Sequence, residues 1–144
     1  MTPQNPRIRR TTLAVPGSNP RMIDKARSLD VDAIFLDLED AVSPLAKEEA
    51  RANIIAELNN GGFGDRIVTV RINSVDTQWA NDDLQEVLRG AGKSLDCIML
   101  PKVRTVSDIQ WLSSKLGELE KEIGKPVGST GIEVQIEDAL GLIN

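Results

Sequence analysis

The chain is predicted to be an α/β protein, an incomplete (β/α)₈ barrel of about five βα units. Three observations lead there. Short apolar runs alternate with segments of helical periodicity, which implies a parallel sheet covered by helices. In strands two, three and five one parity is apolar: Ile34, Leu36, Leu38; Val68, Val70, Ile72; Ile132, Val134, Ile136. The other parity turns polar toward the carboxyl end, gathering Asp37, Glu39 and Asp40, then Arg71 and Asn73, then Glu133, Gln135 and Glu137. A five-stranded doubly wound sheet suits 144 residues, whereas a complete barrel needs roughly 250. A doubly wound sheet, however, has helices on both faces and reads as apolar on both. One-sided polarity favours the barrel.

The elements follow in order. Strand one is Thr12 to Val15, ended by Pro16-Gly17-Ser18; Ser18 or Asn19 caps a helix with Pro20 in its first turn, running to about Leu29. Strand two is Ala33 to Leu38. Ser43-Pro44 opens a helix through Lys47, Ala50, Ile54, Ile55 and Leu58, which Asn59-Asn60-Gly61-Gly62 stops. Strand three, Ile67 to Ile72, is followed by a helix from about Trp79 to Leu88. Strand four, Cys97 to Leu100, is closed by Pro101. A helix from Ser107 to about Ile123 places Trp111, Leu112, Leu116 and Leu119 inward, and Gly124 and Pro126 end it. Strand five is Gly131 to Ile136, and Asp138-Ala139-Leu140-Gly141 begins a sixth connection. Residues 1–11 read as an N-terminal arm and 12–144 as the barrel part.

Composition narrows the chemistry. Seventeen basic residues against 22 acidic ones give a net charge of −5 with no basic face, so neither nucleic acid nor membrane is an expected partner. No apolar run is long enough to span a bilayer, and the basic residues of Met1 to Arg10 are not followed by a signal-peptide core. The single cysteine, Cys97, lies inside an apolar strand, as core packing would place it, and a cytoplasmic location fits. Histidine and tyrosine are both absent. Acid–base work therefore falls to carboxylates, lysine, water or substrate, and any metal would need oxygen ligands. Clustered carboxylates repel and resist desolvation, so their gathering at one rim points to a metal-dependent enzyme.

Five motifs occur in register: Leu13-Ala14-Val15-Pro16-Gly17-Ser18, Asp37-Leu38-Glu39-Asp40-Ala41-Val42, Val70-Arg71-Ile72-Asn73, Leu100-Pro101-Lys102-Val103 and Gln135-Ile136-Glu137-Asp138-Ala139-Leu140-Gly141. Together they resemble the citrate lyase beta-subunit and malyl-CoA lyase family, within the HpcH/HpaI aldolase group. The resemblance implies a TIM barrel that binds Mg²⁺, with Mn²⁺ as an alternative, and works as a homo-oligomer. It implies cleavage or formation of a carbon–carbon bond between a CoA thioester and an oxo acid. By the same resemblance Arg71 grips the oxo-acid carboxylate, with Asn73 beside it, and Glu137 is the first metal ligand. Glu39 and Asp40 support the site through the metal's water shell. Pro16, Gly17, Arg21 and Lys25 approach the CoA phosphates, and Lys102 joins the substrate site. The family's second metal ligand, an aspartate after the next strand, falls beyond Asn144. The 144-residue chain is therefore expected to be inactive alone.

Plainer roles compete for the same residues. Arg71 could simply neutralise Glu39 or Asp37, and Asp37 could serve only as a partner for Arg71 or Lys102. Glu137 could be an acid favoured by a helix N-terminus. Lys102 could be a Schiff-base lysine or a salt-bridge partner of the strand-two acids. At the level of the whole chain, a non-catalytic paralogue or a fragment needing a partner chain is the alternative to a lyase. A receiver-like signalling domain fails because Arg71 and Glu137 occupy the places of its acceptor aspartate and lysine.

Overall fold

In the computed structural model, which describes residues 7–144, each strand pairs only with its sequence neighbours. Five parallel strands, β1 (Thr12–Pro16), β2 (Ala33–Asp37), β3 (Ile67–Arg71), β4 (Cys97–Leu100) and β5 (Gly131–Val134), lie in the order β1-β2-β3-β4-β5. A doubly wound sheet reverses its order at a switch point. This sheet has none, and the barrel expectation stands. Between the strands run α1 (Pro20–Ala26), α2 (Lys47–Asn60), α3 (Ala80–Ala91) and α4 (Val106–Glu122), and α5 (Ala139–Ile143) follows β5.

The two strand parities separate as the sequence implies. Ile34, Leu36, Val70, Ile98 and Leu100 are fully buried against the helices, where Ile23, Ile54, Leu58, Leu84, Leu88 and Leu112 meet them in one core. The opposite parity carries Phe35, Thr69 and Met99 and ends in the polar groups. Near its amino end Cys97 packs with Ala33 and Ile67, as core packing requires. The arm expected at residues 1–11 is described only from Arg7, residues 1–6 lying outside the described residues. Arg7 pairs with Asp96 and Arg10 with Asp32, fastening the chain across the amino-end rim.

Helix α3 runs three residues past the expected Leu88, to Ala91, and β2 and β3 each stop one residue short; three other boundary differences have a visible cause. Helix α1 ends at Ala26 rather than Leu29. There the Ser28 and Leu29 amides donate to the Lys25 and Ala26 carbonyls in tight three-residue turns. A 3₁₀ turn, Pro44–Ala46, precedes α2, so Lys47 rather than Pro44 opens the α-helix. Strand β5 stops at Val134 rather than Ile136 because its partner turns away at Pro101, which has no N–H, and at Lys102, whose φ is 52°. Two irregular bonds, Gln135 N–H to Leu100 and Val103 N–H to Gln135, continue the pairing. Gly17 is required where β1 meets β2: a Cβ there would lie 2.9 Å from the Asp37 carbonyl oxygen and 2.6 Å from Ile54 Cδ1.

Strands β1 and β5 have open edges. Beside β5 the side chains of Ile132, Val134 and Ile136, which the parity argument has facing a helical layer, are exposed, as are Leu140, Leu142 and Ile143 of α5. Unpaired edges flanked by apolar patches template association. A polypeptide of these 144 residues is thus expected to self-associate or to melt broadly at low temperature. Sedimentation velocity over a concentration series checks this, and a concentration-independent monomer with a sharp melt would contradict it. No helix among the described residues is long and apolar enough to cross a membrane.

Candidate active site

The polar residues converge at the carboxyl rim because of register. Asp37 and Arg71 are the last residues of β2 and β3 and lie directly opposite each other. Arg71 Nε and Nη2 each donate to one Asp37 carboxylate oxygen at 2.7 Å, a side-on fork. Asp37 also accepts from the Glu39 amide at 2.8 Å and the Ala41 amide at 3.0 Å, which bends the chain after β2. Burial alone would raise the Asp37 pKa, but the Arg71 fork and the two amides bring it below the ordinary carboxylate value. The plainer expectation for Asp37, a partner for Arg71, holds.

With Nε and Nη2 engaged, the free edge of Arg71 is the one bearing Nη1. That nitrogen donates to Gln135 Oε1 at 3.1 Å and lies 3.4 Å from Glu39 Oε2. The guanidinium stacks 5.3 Å from the Phe35 ring centre, and its side chain is 12% exposed. Glu39 is buried. Its Oε1 meets Lys102 Nζ at 2.6 Å, while Oε2 accepts no hydrogen bond from a described residue. Burial pushes the Glu39 pKa up, against the pull of Lys102 and Arg71.

Lys102 ties the second half of the rim to the first. Its left-handed backbone is uncommon for a residue with a side chain. From that turn its N–H donates to Glu137 Oε1 at 2.8 Å, and its ammonium reaches both Glu39 and Asp40, the latter at 3.1 Å. Hydrogen bonding to Glu39 raises the Lys102 pKa, the direction that goes with a salt bridge and opposite to the lowered pKa that activates a Schiff-base lysine. Glu137 is exposed, and the helix-cap role falls to its neighbour: Asp138 Oδ1 caps α5 by accepting from Gly141 N–H at 2.9 Å.

Two groups of expected site residues stand apart from this cluster. Asn73 is buried, and its amide donates to Leu38 O at 3.0 Å and Asp83 Oδ2 at 2.6 Å. Its side-chain donors hold the Leu38 carbonyl and Asp83, while the residue also lines the cleft beside the rim. Pro16 and Gly17 form the turn after β1, and Gly17 N–H donates to Asp37 O. Arg21 and Lys25 lie one helical turn apart on the exposed side of α1. None of the ion pairs among the described residues uses either cation. A cleft of about 430 Å³ opens beside the rim, lined by Glu39, Asp40, Lys47, Asn73, Trp79 and Lys102. Gln135 and Lys47 were not singled out for the site from the sequence. Gln135 alternates with Glu133 and Glu137, and that pattern already pointed inward.

No three Asp, Glu, His or Cys side chains are grouped to hold a metal ion among the described residues. What the rim offers is a partial oxygen donor set: one uncommitted oxygen of exposed Glu137 and the buried Oε2 of Glu39, which faces Arg71 at 3.4 Å without accepting a hydrogen bond. Hard oxygen donors of this kind suit Mg²⁺ or Mn²⁺.

Removing the charge of Asp37 tests the fork. Because its folded pKa is lowered, the pair's stabilisation is present above the unfolded value near 4 and is lost as pH falls through the folded value. Asp37→Asn is expected to cost about 1–3 kcal/mol near neutrality. Urea melts should show wild type and variant converging as pH falls through the lowered folded value. A gap that persists unchanged into acid would mean the pair contributes little.

The HpcH/HpaI aldolase/citrate lyase family profile matches residues 10–144. Citrate lyase subunit beta of Leuconostoc mesenteroides subsp. cremoris is 40% identical over 140 residues, 97% of this chain and 45% of that protein. The L-malyl-CoA/beta-methylmalyl-CoA lyase of Cereibacter sphaeroides is 39% identical over 138 residues, 94% of this chain and 42% of that protein. The chain thus spans somewhat less than half the length of these relatives. Among solved structures, Haloferax volcanii malate synthase in its magnesium/glyoxylate complex superposes with a TM-score of 0.85 at 21% identity, covering 97% of this chain and 46% of that one.

Proposed function

The chain belongs to the HpcH/HpaI aldolase/citrate lyase family, and from that premise we propose that it forms the amino-terminal part of a Mg²⁺-dependent lyase acting on a malyl-CoA- or citryl-CoA-type ester. The products are an acetyl-CoA-type thioester and an oxo acid. The observation that carries the reading is the rim itself, where Arg71, Glu39, Lys102 and Glu137 are linked by direct contacts across β2, β3, β4 and β5.

Retro-aldol cleavage of a 3-hydroxyacyl thioester breaks the bond between the hydroxyl-bearing carbon and the thioester α-carbon. The hydroxyl proton leaves, a carbonyl forms, and the thioester enolate takes up a proton. The Nη1 edge of Arg71 orients the substrate carboxylate, displacing Gln135, and adds fixed positive charge beside the reacting oxygens. Asp37 holds that guanidinium in place through the opposite edge. Glu137 would hold the metal directly, with Glu39 and Asp40 facing its water shell. A divalent ion supplies Lewis-acid stabilisation of the developing oxygen charge; the Haloferax relative of the same fold was solved with magnesium. Lys102 pairs with both Glu39 and Asp40 and fixes them in place. Arg21 and Lys25, with the Pro16–Gly17 turn, would meet the CoA phosphates. The setting is a cytoplasmic homo-oligomer.

A second reading makes this chain half of a site completed by another polypeptide; the exposed apolar edge beside β5 favours it. The test is release of acetyl-CoA from a malyl- or citryl-CoA substrate, with and without EDTA. It is run on the 144-residue chain and on a counterpart of full family length. EDTA-sensitive cleavage by the long form and none by the short chain is the expected result. Failure of the long form on both esters would overturn the lyase reading.

A further inference from the structure

Lys47 is a buried cation that the lyase reading does not use. It opens α2 on the same inward stripe as Ala50, Ile54 and Leu58, and it is 5% exposed. Among the described residues no carboxylate lies within salt-bridge distance of its ammonium. Nζ donates instead to two backbone carbonyls, those of Leu38 and Glu39, each at 2.6 Å, with the Trp79 ring centre 5.4 Å away. Burying an ammonium without a paired anion is costly, and a leucine would fill a helix stripe at no such cost. Burial lowers the lysine's pKa, while Asp83, Asp37, Glu39 and Asp40 pull it back up.

The two carbonyls need donors because the chain leaves the sheet there. The Leu38 amide still donates to Arg71 O, but past Asp37 the ladder ends. Leu38 O receives a second bond from the Asn73 amide. Asn73 is fixed in turn by Asp83, which accepts from its backbone and side chain, and Asp83 by Arg51 Nε at 3.1 Å. Donors from α2 and from the end of β3 therefore grip the Leu38–Glu39 segment on its helix side. On the other side the Glu39 carboxylate projects to Arg71 and Lys102.

We propose that Lys47, with Asn73, is a positioning clamp that holds the Glu39 backbone so that its carboxylate stays buried between Arg71 and Lys102. What Glu39 is held there to do depends on the lyase reading above; that Lys47 holds it does not. The experiment therefore uses no activity.

Amide hydrogen exchange is followed by NMR in wild type, Lys47→Met and Lys47→Arg at the Glu39 and Ala41 amides, which donate to Asp37 only while the Leu38–Glu39 backbone is held. The Gly128 and Thr130 amides, which donate to Glu120 on α4, are the internal control. The clamp predicts faster exchange at Glu39 and Ala41 in Lys47→Met, wild-type protection in Lys47→Arg, and no change at Gly128 and Thr130. Unchanged protection of Glu39 and Ala41 in Lys47→Met, or a loss shared equally by the control amides, overturns it. If Lys47→Met does not fold, Asn73→Ala removes the other donor to Leu38 O. The same local loss of protection is then expected, and its absence counts against the clamp.

Discussion

Replacing Arg71 with lysine in a counterpart of full family length is expected to lower kcat/KM by roughly tenfold or more, at least about 1.4 kcal/mol of transition-state stabilisation. The structure sharpens why. Arginine serves two partners at once here, Asp37 through Nε and Nη2 and Gln135 through Nη1, the edge proposed above to meet the substrate carboxylate. Lysine keeps the charge but has one nitrogen and no fork. A lysine that satisfies buried Asp37 retreats from the mouth, and one that reaches the mouth leaves Asp37 to the two amides of Glu39 and Ala41. Both the affinity for a dicarboxylate-type substrate and the chemical step should suffer. A stability loss alone, with kcat and KM unaltered, would return Arg71 to the purely structural pairing with Asp37.

That dual use of Arg71 marks where sequence reading ran out. Strands β2 and β3 were legible because their parity is strict: Ile34, Leu36 and Val70 could face only the helices, and all three are fully buried. Strand order followed from βα alternation together with one-sided polarity. The identities of the rim residues followed too, since Asp37, Arg71, Gln135 and Glu137 share the inward parity. Their pairing did not. Asp37 faces Arg71 because β2 and β3 align without stagger between Asp37 and Arg71, a register that periodicity does not set. Lys47 was visible as a member of an apolar helical stripe, and a lysine on such a stripe is itself a signal of a carbonyl or carboxylate beneath. Asn73 makes a second contact that periodicity does not set. Its parity pointed inward, but the buried carboxylate of Asp83, arriving from α3, captured its amide. The contact joins residues ten apart in sequence through a helix start, where sequence offers no spacing rule.

Glu137→Ala in the full-length counterpart is expected to abolish metal-dependent cleavage, the largest effect among these substitutions. One Glu137 oxygen accepts the Lys102 N–H and the other is uncommitted, so the carboxylate is both fixed in place and available. Alanine removes the direct metal contact and frees the strained Lys102 turn, whose ammonium holds Glu39 and Asp40. One carboxylate with waters makes a weak site for Mg²⁺, which retains much of its hydration shell; substrate oxygens and a further carboxylate are needed to complete it. The 144-residue chain is accordingly expected to bind Mg²⁺ no more tightly than the millimolar range by calorimetry, on the order of −4 kcal/mol or weaker. Acetyl-CoA release should disappear with EDTA and return with Mg²⁺ or Mn²⁺ in the full-length wild type, and should not return in Glu137→Ala at any metal concentration. EDTA-resistant turnover would move the chemistry to Lys102 and a Schiff base, against its ion-paired state. Turnover by the short chain would show that the five strands described here hold a complete site.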